Sequence, residues 1–403
     1  MTWKETLDFL YSMLPMYQRT GKSAYKKDLT NTLALLEVLD NPHTKFKTIH
    51  IAGTNGKGTS AHGIAAVMQT AGYTTGLYTS PHLKNFTERI RINGKEMDQA
   101  SIIDFVERMK PHIVRINPSF FEVTVAMAFW FFSEAQIDIA VIETGLGGRL
   151  DSTNVIKPEV SLITNIGMDH TDLLGDTLEK IAVEKAGIIK SDTPVVIGQY
   201  QEEIFHVFKN RADELNAKLI LPENKAMDPT LPYYKSMNMS GISGVVEVLR
   251  RMNWRITHND FQNGMENMER ITGFKGRFQI LKKAPLIIAD VSHNVEGLSL
   301  LFHRIEQIRK GRLYLIFGTV RDKKLTPIFN LFPLDSINIW TQSRVPRALP
   351  VQELESIAKE NALEGPGFIN VNDALESAEL QAEKSDIILI TGSTFVVADL
   401  DIL

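Results

Sequence analysis

Residues 47–59 read Lys47-Thr-Ile-His-Ile-Ala-Gly-Thr-Asn-Gly-Lys-Gly-Thr59, a run of β-forming residues that leads into a glycine-rich loop. A helical pattern follows over 59–71. Glycines let backbone N–H groups converge on an anion, a helix N-terminus adds a positive dipole, and Lys57 adds a point charge. Thr59 is placed to give its hydroxyl to Mg²⁺, so the stretch predicts a phosphate-binding loop between a strand and a helix. The predicted nucleotide-binding residues are Gly53, Thr54, Asn55, Gly56, Lys57, Gly58, Thr59 and Ser60.

The spacing of this loop departs from the usual phosphate-loop pattern G-x-x-x-x-G-K-[ST]. Position 51 is isoleucine, and Gly58 separates Lys57 from Thr59. The alternative is a glycine-rich turn with an incidental lysine, which the strand before the loop and the helix after it disfavour. The irregular spacing also argues against a small GTPase or a typical kinase.

Composition and charge describe an ordinary globular protein of 403 residues, a length that favours two domains. The formal net charge of -4 argues against nucleic acid or an anionic membrane as the main partner. Because the chain has no cysteine, disulfides, thiolate metal sites and cysteine nucleophiles are excluded. The N-terminus does not have the pattern of a signal peptide, and the longest apolar run, 123–132, is well short of the ~20 residues that a membrane span needs. We therefore expect a cytoplasmic enzyme or binding protein.

Short β-rich runs alternate with helical patterns along most of the chain, which indicates βαβ units and a mostly parallel sheet. The predicted strands are 47–52, 137–142, 160–164, 194–198, 286–290, 313–317, 337–341, 368–371 and 387–391. The predicted helices are 59–71, 101–114, 121–134, 178–189 and 204–216. The pattern loosens after Met252 and resumes near 286. We predict an α/β fold in which a P-loop ATP-binding domain, 1–270, is joined by a linker, 271–284, to a Rossmann-like domain, 285–403.

A second glycine-rich segment follows the predicted strand 137–142 and reads Glu143-Thr-Gly-Leu-Gly-Gly-Arg-Leu-Asp151-Ser-Thr-Asn154. A carboxylate at the carboxyl end of a parallel strand, beside a phosphate loop, is where a Mg²⁺ ligand belongs. Glu143 is that carboxylate. The alternative is a glycine loop in which Asp151 serves only as an N-cap.

The sequence GTNGKGT at 53–59 resembles the phosphate loop of the folylpolyglutamate synthase/dihydrofolate synthase family, within the wider Mur ligase superfamily. Further motifs similar to those of this family follow in the expected order and span essentially the whole chain. They are Thr79-Ser80-Pro81-His82-Leu83 with Glu88-Arg89-Ile90, Asp169-His170, and Glu184-Lys185-Ala-Gly-Ile-Ile-Lys190. The resemblance implies an ATP-dependent ligase with a Mur-type central domain and a Mur-type C-terminal domain.

The resemblance also implies a centre with two Mg²⁺ ions. Thr59, Ser80 and Glu143 would surround the first ion, and Glu143 and His170 would bind the second. Family enzymes carbamylate the lysine that corresponds to Lys185, which turns an ammonium that two Mg²⁺ ions would repel into an anion. The alternative is a surface lysine that pairs with a glutamate of its own helix. The implied catalytic residues are Lys57, Glu143, His170 and Lys185.

The C-terminal half carries looser matches. Asn238 lies where the family has the asparagine of a Q-x-x-N motif that contacts adenine, although Lys235 replaces the glutamine. Arg277 matches the arginine of the family's P-G-R-x-E segment at the interdomain linker, and residues 290–294 resemble its D-G-A-H-N motif. Domain closure would then complete the site. The implied nucleotide contacts of this half are Asn238, Arg277, Asp290 and His293.

A similarity to bacterial bifunctional members implies a pocket for the pterin end of the substrate. Phe120 and Phe121 would offer a flat face to a flat ring, or would be core residues of the helix that follows. The implied pocket residues are Leu29, Thr30, Asn31, Ser119, Phe120, Phe121, Glu122, Leu150, Asp151 and Ser152.

A carboxylic acid and an amine do not condense in water at neutral pH, so the acid must be activated. In the family, the acceptor carboxylate attacks the γ-phosphate of ATP, and the amino group of L-glutamate displaces phosphate from the acyl phosphate. We therefore expect L-glutamate to be added to dihydropteroate, to reduced folates, or to both, and a bifunctional enzyme is favoured.

Two other functions are alternatives to this ligase. One is another Mur-type ligase, which would need a UDP-binding domain before residue 53. The other is a P-loop nucleotide switch, which would need an ordinary phosphate loop and an N-K-x-D motif. A monomer is expected, and the sequence leaves a requirement for K⁺ open.

Overall fold

The computed structural model describes residues 1–15, 28–222 and 233–403. They divide into two compact units, Met1–Phe274 and Lys275–Leu403. The strands of the first unit are β1 Lys47–Ala52, β2 Thr75–Tyr78, β3 Ile90–Ile92, β4 Lys95–Glu96, β5 Ile139–Glu143, β6 Val160–Ile163, β7 Val195–Ile197 and β8 Leu219–Ile220. They form one sheet in the order β4-β3-β2-β5-β1-β6-β7-β8. The six neighbouring strands β2-β5-β1-β6-β7-β8 are parallel, and β3 and β4 add two antiparallel pairings at one edge.

Helices cover both faces of this sheet, as βαβ connections require. They are α1 Trp3–Asp8, α2 Thr30–Val38, α3 Lys57–Thr70, α4 Gln99–Ile116, α5 Phe120–Glu134, α6 Thr171–Leu174, α7 Leu178–Ala186, α8 Glu202–Glu214, α9 Tyr233–Arg251, α10 His258–Glu266 and α11 Met268–Thr272. Shorter turns are a π turn at Phe9–Met13 and 3₁₀ turns at Pro42–Thr44, Phe86–Arg89 and Ser152–Val155. On one face α3, α9 and α10 share a core with β1, and on the other α4 and α5 cover β5 while α7 and α8 cover β6 and β7.

Strand β1 lies at the centre of the sheet, between β5 and β6. Because successive side chains of a strand point to opposite faces, Ile49 and Ile51 face the core under α3, whereas His50 faces the other side. All three side chains are fully buried. Burying each isoleucine stabilises the folded protein by about 1.5–3 kcal/mol, so core packing holds the strand that carries the phosphate loop in place.

The second unit is a smaller α/β sheet. Its strands are β9 Gln279–Lys283, β10 Leu286–Ala289, β11 Leu313–Phe317, β12 Ile337–Thr341, β13 Gly367–Phe368 and β14 Ile387–Thr391, in the order β13-β12-β11-β14-β10-β9. Only the β9–β10 pair is antiparallel among these described strands. Its helices are α12 Val295–Ile308, α13 Thr326–Phe329, α14 Val351–Glu360, α15 Val371–Gln381 and α16 Thr394–Ala398. The predicted fold class, α/β with mostly parallel sheets, is confirmed.

Two local features differ from the sequence prediction. Helix α3 begins at Lys57, two residues earlier than predicted, because Gly56 takes the left-handed conformation at the N-cap. After Met252, where the pattern loosens, the chain forms α10 and α11. Position 264 lies within α10, and glycine is required there because a Cβ atom would come within 2.7 Å of the Val67 Cα atom on α3. The glycine therefore marks a close helix contact, which periodicity alone cannot distinguish from a loop.

Among the described residues, no helix combines the length and the apolar character that crossing a bilayer requires.

Candidate active site

The glycines of the phosphate loop are required by their surroundings. Gly53 has a φ of 149°, and a Cβ on it would lie 1.8 Å from the Thr164 Oγ1 atom. Gly56 has a φ of 83°, and a Cβ there would lie 1.9 Å from Asn238 Oδ1. Both positions therefore require glycine, because the positive φ is unfavourable for other residues and because a Cβ atom would overlap a neighbouring side chain. The second contact also places Asn238, the predicted adenine residue, against the loop.

The end of β6 holds the phosphate loop in place. The Thr54 backbone N–H donates to the Asn165 carbonyl at 2.9 Å, and the Asn55 N–H donates to Asn165 Oδ1 at 2.8 Å. In return, the Thr164 hydroxyl donates to the Asn55 carbonyl at 2.6 Å. Sequence reasoning missed Thr164 and Asn165 as site residues. Two polar residues directly after a buried strand were a signal, but the sequence does not show that β6 lies beside β1.

Two lysines meet at one carbonyl oxygen of the loop. Lys57 Nζ donates to the carbonyls of Gly53 at 3.1 Å and Thr54 at 3.3 Å. Lys185 Nζ, which comes from α7, donates to the same Gly53 carbonyl at 2.7 Å. Both lysines therefore line the loop where phosphates are predicted to bind.

The Lys185 side chain is only 4% exposed. Burial lowers the pKa of Lys185 well below its usual value, the charge on Lys57 lowers it further, and the carboxylates of Asp169 and Asp151 oppose this. The predicted alternative, a surface lysine paired with a glutamate, does not describe this environment.

The predicted carboxylate ligand lies beside the start of α3. Glu143 ends β5, is 4% exposed, and accepts a hydrogen bond from the Ser80 backbone N–H at 3.2 Å. A Cβ on Gly58 would lie 3.7 and 3.8 Å from its two carboxylate oxygens. The structure thus brings Glu143, Ser80 and the residue before Thr59 together, from three neighbouring strand ends.

His170 lies in the segment after β6. It adopts a left-handed backbone, with a φ of 49°, and its Nε2 atom lies 3.8 Å from Asp169 Oδ2. The side chain is 35% exposed, so it is open to a ligand. Its predicted role at a second metal ion stays a prediction.

The donor set fits a Mg²⁺ ion of the kind that binds with phosphates. Within the described ranges, no cluster of three or more His, Asp or Glu side chains could hold a metal by itself. Mg²⁺ keeps several waters and takes one or two carboxylates together with substrate phosphates. One buried carboxylate, Glu143, next to hydroxyl-bearing residues and a phosphate loop has that chemistry.

Asp151 organises the glycine-rich loop that follows Glu143. Its Oδ2 atom accepts from the backbone N–H groups of Gly145 and Leu146, both at 2.9 Å. Its Oδ1 atom accepts from the Thr153 N–H at 3.0 Å and the Thr153 hydroxyl at 2.5 Å. Burial raises the pKa of Asp151, and these hydrogen bonds oppose the rise. The structure gives Asp151 this internal role, and its predicted contact with a pterin stays a prediction.

The two predicted aromatic residues differ. Phe120 is 2% exposed, lies in the core, and has the Arg89 guanidinium 5.2 Å from its ring centre. Phe121 keeps exposed surface, and a Cβ on Gly145 would lie 2.4 Å from its ring. Phe120 is therefore a core residue, because it is buried in the core cluster, and Phe121 is the one that can face a ligand.

The other predicted pocket residues lie around this point. Ser119 caps α5, and Glu122 Oε2 accepts from the Ser119 N–H at 2.6 Å in a capping box. Leu29, Thr30 and Asn31 open α2, which packs against α5 and against the turn Ser152–Val155. Leu150 is half-buried and Ser152 is buried beside Asp151.

Lys235 stands where the family has a glutamine, and its side chain is hydrogen-bonded inside the protein. Its ammonium donates to the Met265 carbonyl at 2.9 Å and to Glu269 Oε2 at 2.7 Å. This ties α9 to α10 and α11, three residues before Asn238. Lys235 is 3% exposed, so the pair is a fixed link and not a mobile surface contact.

The remaining predicted nucleotide residues lie in the second unit. Asp290 is fully buried, and its carboxylate accepts from the backbone N–H groups of Phe278 at 2.7 Å and Ser292 at 2.8 Å. His293 Nδ1 lies 3.0 Å from the Val291 carbonyl. Arg277 is half-buried next to Phe278. Asp290 therefore fixes the loop at the end of β10, and the nucleotide contacts of these residues stay predictions.

Two family models match the chain. The Mur ligase middle domain covers residues 51–228, and the Mur ligase glutamate ligase domain covers residues 276–394. A dihydrofolate synthase/folylpolyglutamate synthase of Bacillus subtilis is 30% identical over 416 residues, which are 94% of this chain and 95% of that protein. The chain spans about half the length of two archaeal relatives that it matches, from Haloferax volcanii and Halobacterium salinarum.

Solved structures agree with this result. Escherichia coli FolC in complex with DHPP and ADP is 27% identical with a TM-score of 0.85, over 99% of this chain and 96% of that one. A bifunctional folylpolyglutamate synthase/dihydrofolate synthase with Mn, AMPPNP and L-glutamate bound is also 27% identical, with a TM-score of 0.85, over 99% and 97% of the two chains. The predicted resemblance is confirmed: the chain belongs to the folylpolyglutamate synthase/dihydrofolate synthase family of Mur-type ligases.

Proposed function

We propose that the protein is an ATP-dependent ligase that adds L-glutamate to dihydropteroate and to the glutamate tail of reduced folates. The observation that carries the proposal is the meeting of a phosphate loop, two lysines and a buried carboxylate at the ends of β1, β2 and β5. A relative of the same family holds ADP and DHPP, and another holds Mn, AMPPNP and L-glutamate. Their ligands match the three substrates that the reaction needs.

The first step is transfer of the ATP γ-phosphate to the acceptor carboxylate, which makes an acyl phosphate. The loop amides and Lys57 bind the phosphates and hold the γ-phosphate in line with the incoming carboxylate, which is most of what such a reaction requires. Thr59, Ser80 and Glu143 would hold a Mg²⁺ ion, with Glu143 and His170 at a second one. These ions would neutralise negative charge on the phosphates when bound.

The second step is attack of the L-glutamate amine on the acyl phosphate, with loss of phosphate. The amine attacks in its uncharged form, so the bound ammonium of glutamate has to lose one proton before the new bond forms. Lys185 is proposed to be carbamylated: its neutral amine adds to CO₂ and releases one proton, which leaves an anionic carbamate. Burial supports this, because it keeps the amine uncharged and nucleophilic. A carbamate there would attract the incoming ammonium of glutamate.

The acceptor end is proposed to lie along Phe121 and the glycine-rich loop. Phe121 offers a part-exposed ring next to Gly145, and the residues around Leu29 and Leu150 lie on neighbouring segments. Asn238 is proposed to contact adenine because it lies against Gly56. Arg277, Asp290 and His293 are also proposed to bind nucleotide.

Phosphate release from ATP tests the proposal. We expect release only when L-glutamate is present with dihydropteroate or with tetrahydrofolate, together with a product heavier by one glutamate residue. Turnover with one acceptor but not the other would restrict the proposal to a single activity. Glutamate addition without ATP consumption, or no addition to either acceptor, would overturn it.

A further inference from the structure

We propose that His50 is a positioning residue for the glycine-rich loop 144–150, which it reaches through Thr153 and Asp151. The consequence for acceptor binding rests on the proposed function, whereas the hydrogen-bonded chain itself does not. We call the three side chains His50, Thr153 and Asp151 the relay.

The relay begins in the central strand of the sheet. His50 lies on β1, three residues before Gly53, and its side chain is fully buried on the face away from α3. Its Nε2 atom lies 2.8 Å from the Thr153 hydroxyl. An imidazole is a costly residue for such a position, because its other nitrogen, Nδ1, is buried and has no hydrogen-bond partner in the part of the chain that the structure describes. A hydrophobic side chain would avoid that cost, so the Nε2 contact is the reason to keep histidine here.

The direction of each hydrogen bond in the relay is determined. The Asp151 carboxylate accepts from the Thr153 hydroxyl at 2.5 Å, which uses the one proton that the hydroxyl has. The hydroxyl can then only accept from His50, so His50 carries its proton on Nε2 and donates. Burial lowers the pKa of His50 to about 3, with a smaller contribution from the charge on Lys190, so the imidazole is neutral at physiological pH.

The relay ends on the backbone of the loop. Asp151 Oδ2 accepts from the N–H groups of Gly145 and Leu146, which lie two and three residues after Glu143. Gly145 in turn contacts the Phe121 ring. The position of the loop relative to Phe121 therefore depends on Asp151, and the orientation of Asp151 depends on Thr153 and His50.

This arrangement predicts a selective effect on the acceptor acid. A loop that is released from Asp151 would disturb the surface beside Phe121, while the contacts of the phosphate loop with Thr164 and Asn165 would remain. The KM for dihydropteroate should therefore change more than the KM for ATP.

The test compares variants that remove or keep each hydrogen bond. His50→Leu removes the donor, and His50→Gln keeps an N–H donor near the position of Nε2. Thr153→Val removes the two hydrogen bonds of the Thr153 hydroxyl and leaves that of its backbone N–H, and Thr153→Ser keeps all three. Hydrogen exchange of the Gly145 and Leu146 amides, followed by mass spectrometry with electron-transfer fragmentation, reports on the relay in the full-length protein whether or not it is active.

We expect exchange at these two amides to rise about 5- to 10-fold in His50→Leu and Thr153→Val, and to return towards wild type in His50→Gln and Thr153→Ser. We expect the KM for dihydropteroate to rise about 5- to 20-fold in the first pair, with the KM for ATP within about twofold of wild type. Wild-type exchange at Gly145 and Leu146 in both His50→Leu and Thr153→Val would overturn the relay. Equal changes in both KM values would overturn its selective role.

His62→Leu is the matched control. His62 is also a buried histidine that makes a 2.8 Å contact with a threonine hydroxyl, that of Thr272, but it lies on α3 away from the loop. We expect exchange at Gly145 and Leu146 to stay at the wild-type rate in this variant. A rise there would mean that losing any buried histidine loosens the loop, which would overturn the relay. If the wild-type protein adds no glutamate to either acceptor, the proposed function fails, and the exchange result still decides the relay.

Discussion

Lys57 and Lys185 donate hydrogen bonds to the same oxygen atom, the carbonyl of Gly53, at 3.1 and 2.7 Å. Two ammonium groups so close would repel each other, and burial together with this repulsion lowers the pKa of Lys185. A phosphate beside Lys57 would neutralise its charge, and a carbamate would replace the ammonium of Lys185, so either one would remove the repulsion between the two lysines. The pair therefore connects the phosphate loop to the lysine that is proposed to be modified.

Replacement of Lys57 tests the phosphate loop. We expect Lys57→Ala to lower ATP turnover about 100- to 1,000-fold, because a positive charge is lost where phosphate charge develops. The melting temperature should stay near that of wild type. Lys47→Ala is the control, since Lys47 is 62% exposed and pairs with Glu159 at the far end of β1. Turnover near wild type in Lys57→Ala would remove the phosphate-loop assignment.

Replacement of Lys185 tests the carbamate. We expect Lys185→Ala to be severely impaired and partly rescued by short carboxylic acids, which can occupy the space of the carbamate. In wild type, ¹³CO₂ should produce a carbamate signal in the ¹³C spectrum, and the variant should lack it.

Lys180→Ala is the control for this experiment, because Lys180 lies on the same helix with a 63% exposed side chain. It should keep both the activity and the carbamate signal. A wild-type protein without the signal would contradict the proposed modification.

Replacement of Gly56 tests its contact with Asn238. In Gly56→Ala the new Cβ would lie 1.9 Å from Asn238 Oδ1, on a backbone with a φ of 83°. We expect the KM for ATP to rise at least about 10-fold, since both the loop and Asn238 must move.

Gly72→Ala is the control for Gly56. Gly72 has a similar φ of 91°, but no atom lies within 4 Å of a Cβ there. This variant should lose about 1–2 kcal/mol of stability from backbone strain and keep the KM for ATP. An unchanged KM in Gly56→Ala would show that Asn238 does not constrain the loop.

The buried histidine makes stability depend on pH. The pKa of His50 falls from its usual 6.5 to about 3 in the folded protein. Between these two pH values the unfolded chain binds a proton that the folded protein does not. The free energy of unfolding therefore increases as the pH rises from about 3 to 6.5, and it decreases as the pH falls below 6.5. The slope for one proton is at most about 1.4 kcal/mol per pH unit.

Urea unfolding of wild type and His50→Gln between pH 4.5 and 8 measures this dependence. The stability difference, wild type minus variant, should become less favourable to wild type as the pH falls below 6.5, and should be constant above about pH 7.5. A difference that does not change with pH would mean that His50 has the same pKa in the folded and unfolded states, and would contradict the lowered value.

Much of the fold and family could be predicted from the sequence because the signals are local. The strand Lys47–Ala52 matches its prediction, as do the strands Leu313–Phe317, Ile337–Thr341 and Ile387–Thr391. Apolar runs and glycine loops report on local structure, and the GTNGKGT loop also identified the family.

The contacts that build the site could not be predicted in the same way. Thr164 and Asn165 support the phosphate loop only because β6 lies beside β1, and local sequence patterns do not predict the order of strands in a sheet. The burial of Phe120 and the use of Lys235 inside the protein depend on packing between distant segments. The side-chain identity was visible in each case, but its partner was not.

The order of the sheet has a consequence for synthesis on the ribosome. Strand β1 is made early, yet both of its neighbours, β5 and β6, are made only after residue 138. Until then, Ile49 and Ile51 belong to an apolar strand with neither edge paired, the kind of segment that aggregates readily. In the nascent chain, this strand cannot pair on both edges before residue 163 has been made, and the phosphate loop that it carries cannot make its hydrogen bonds to Thr164 and Asn165 before those residues exist.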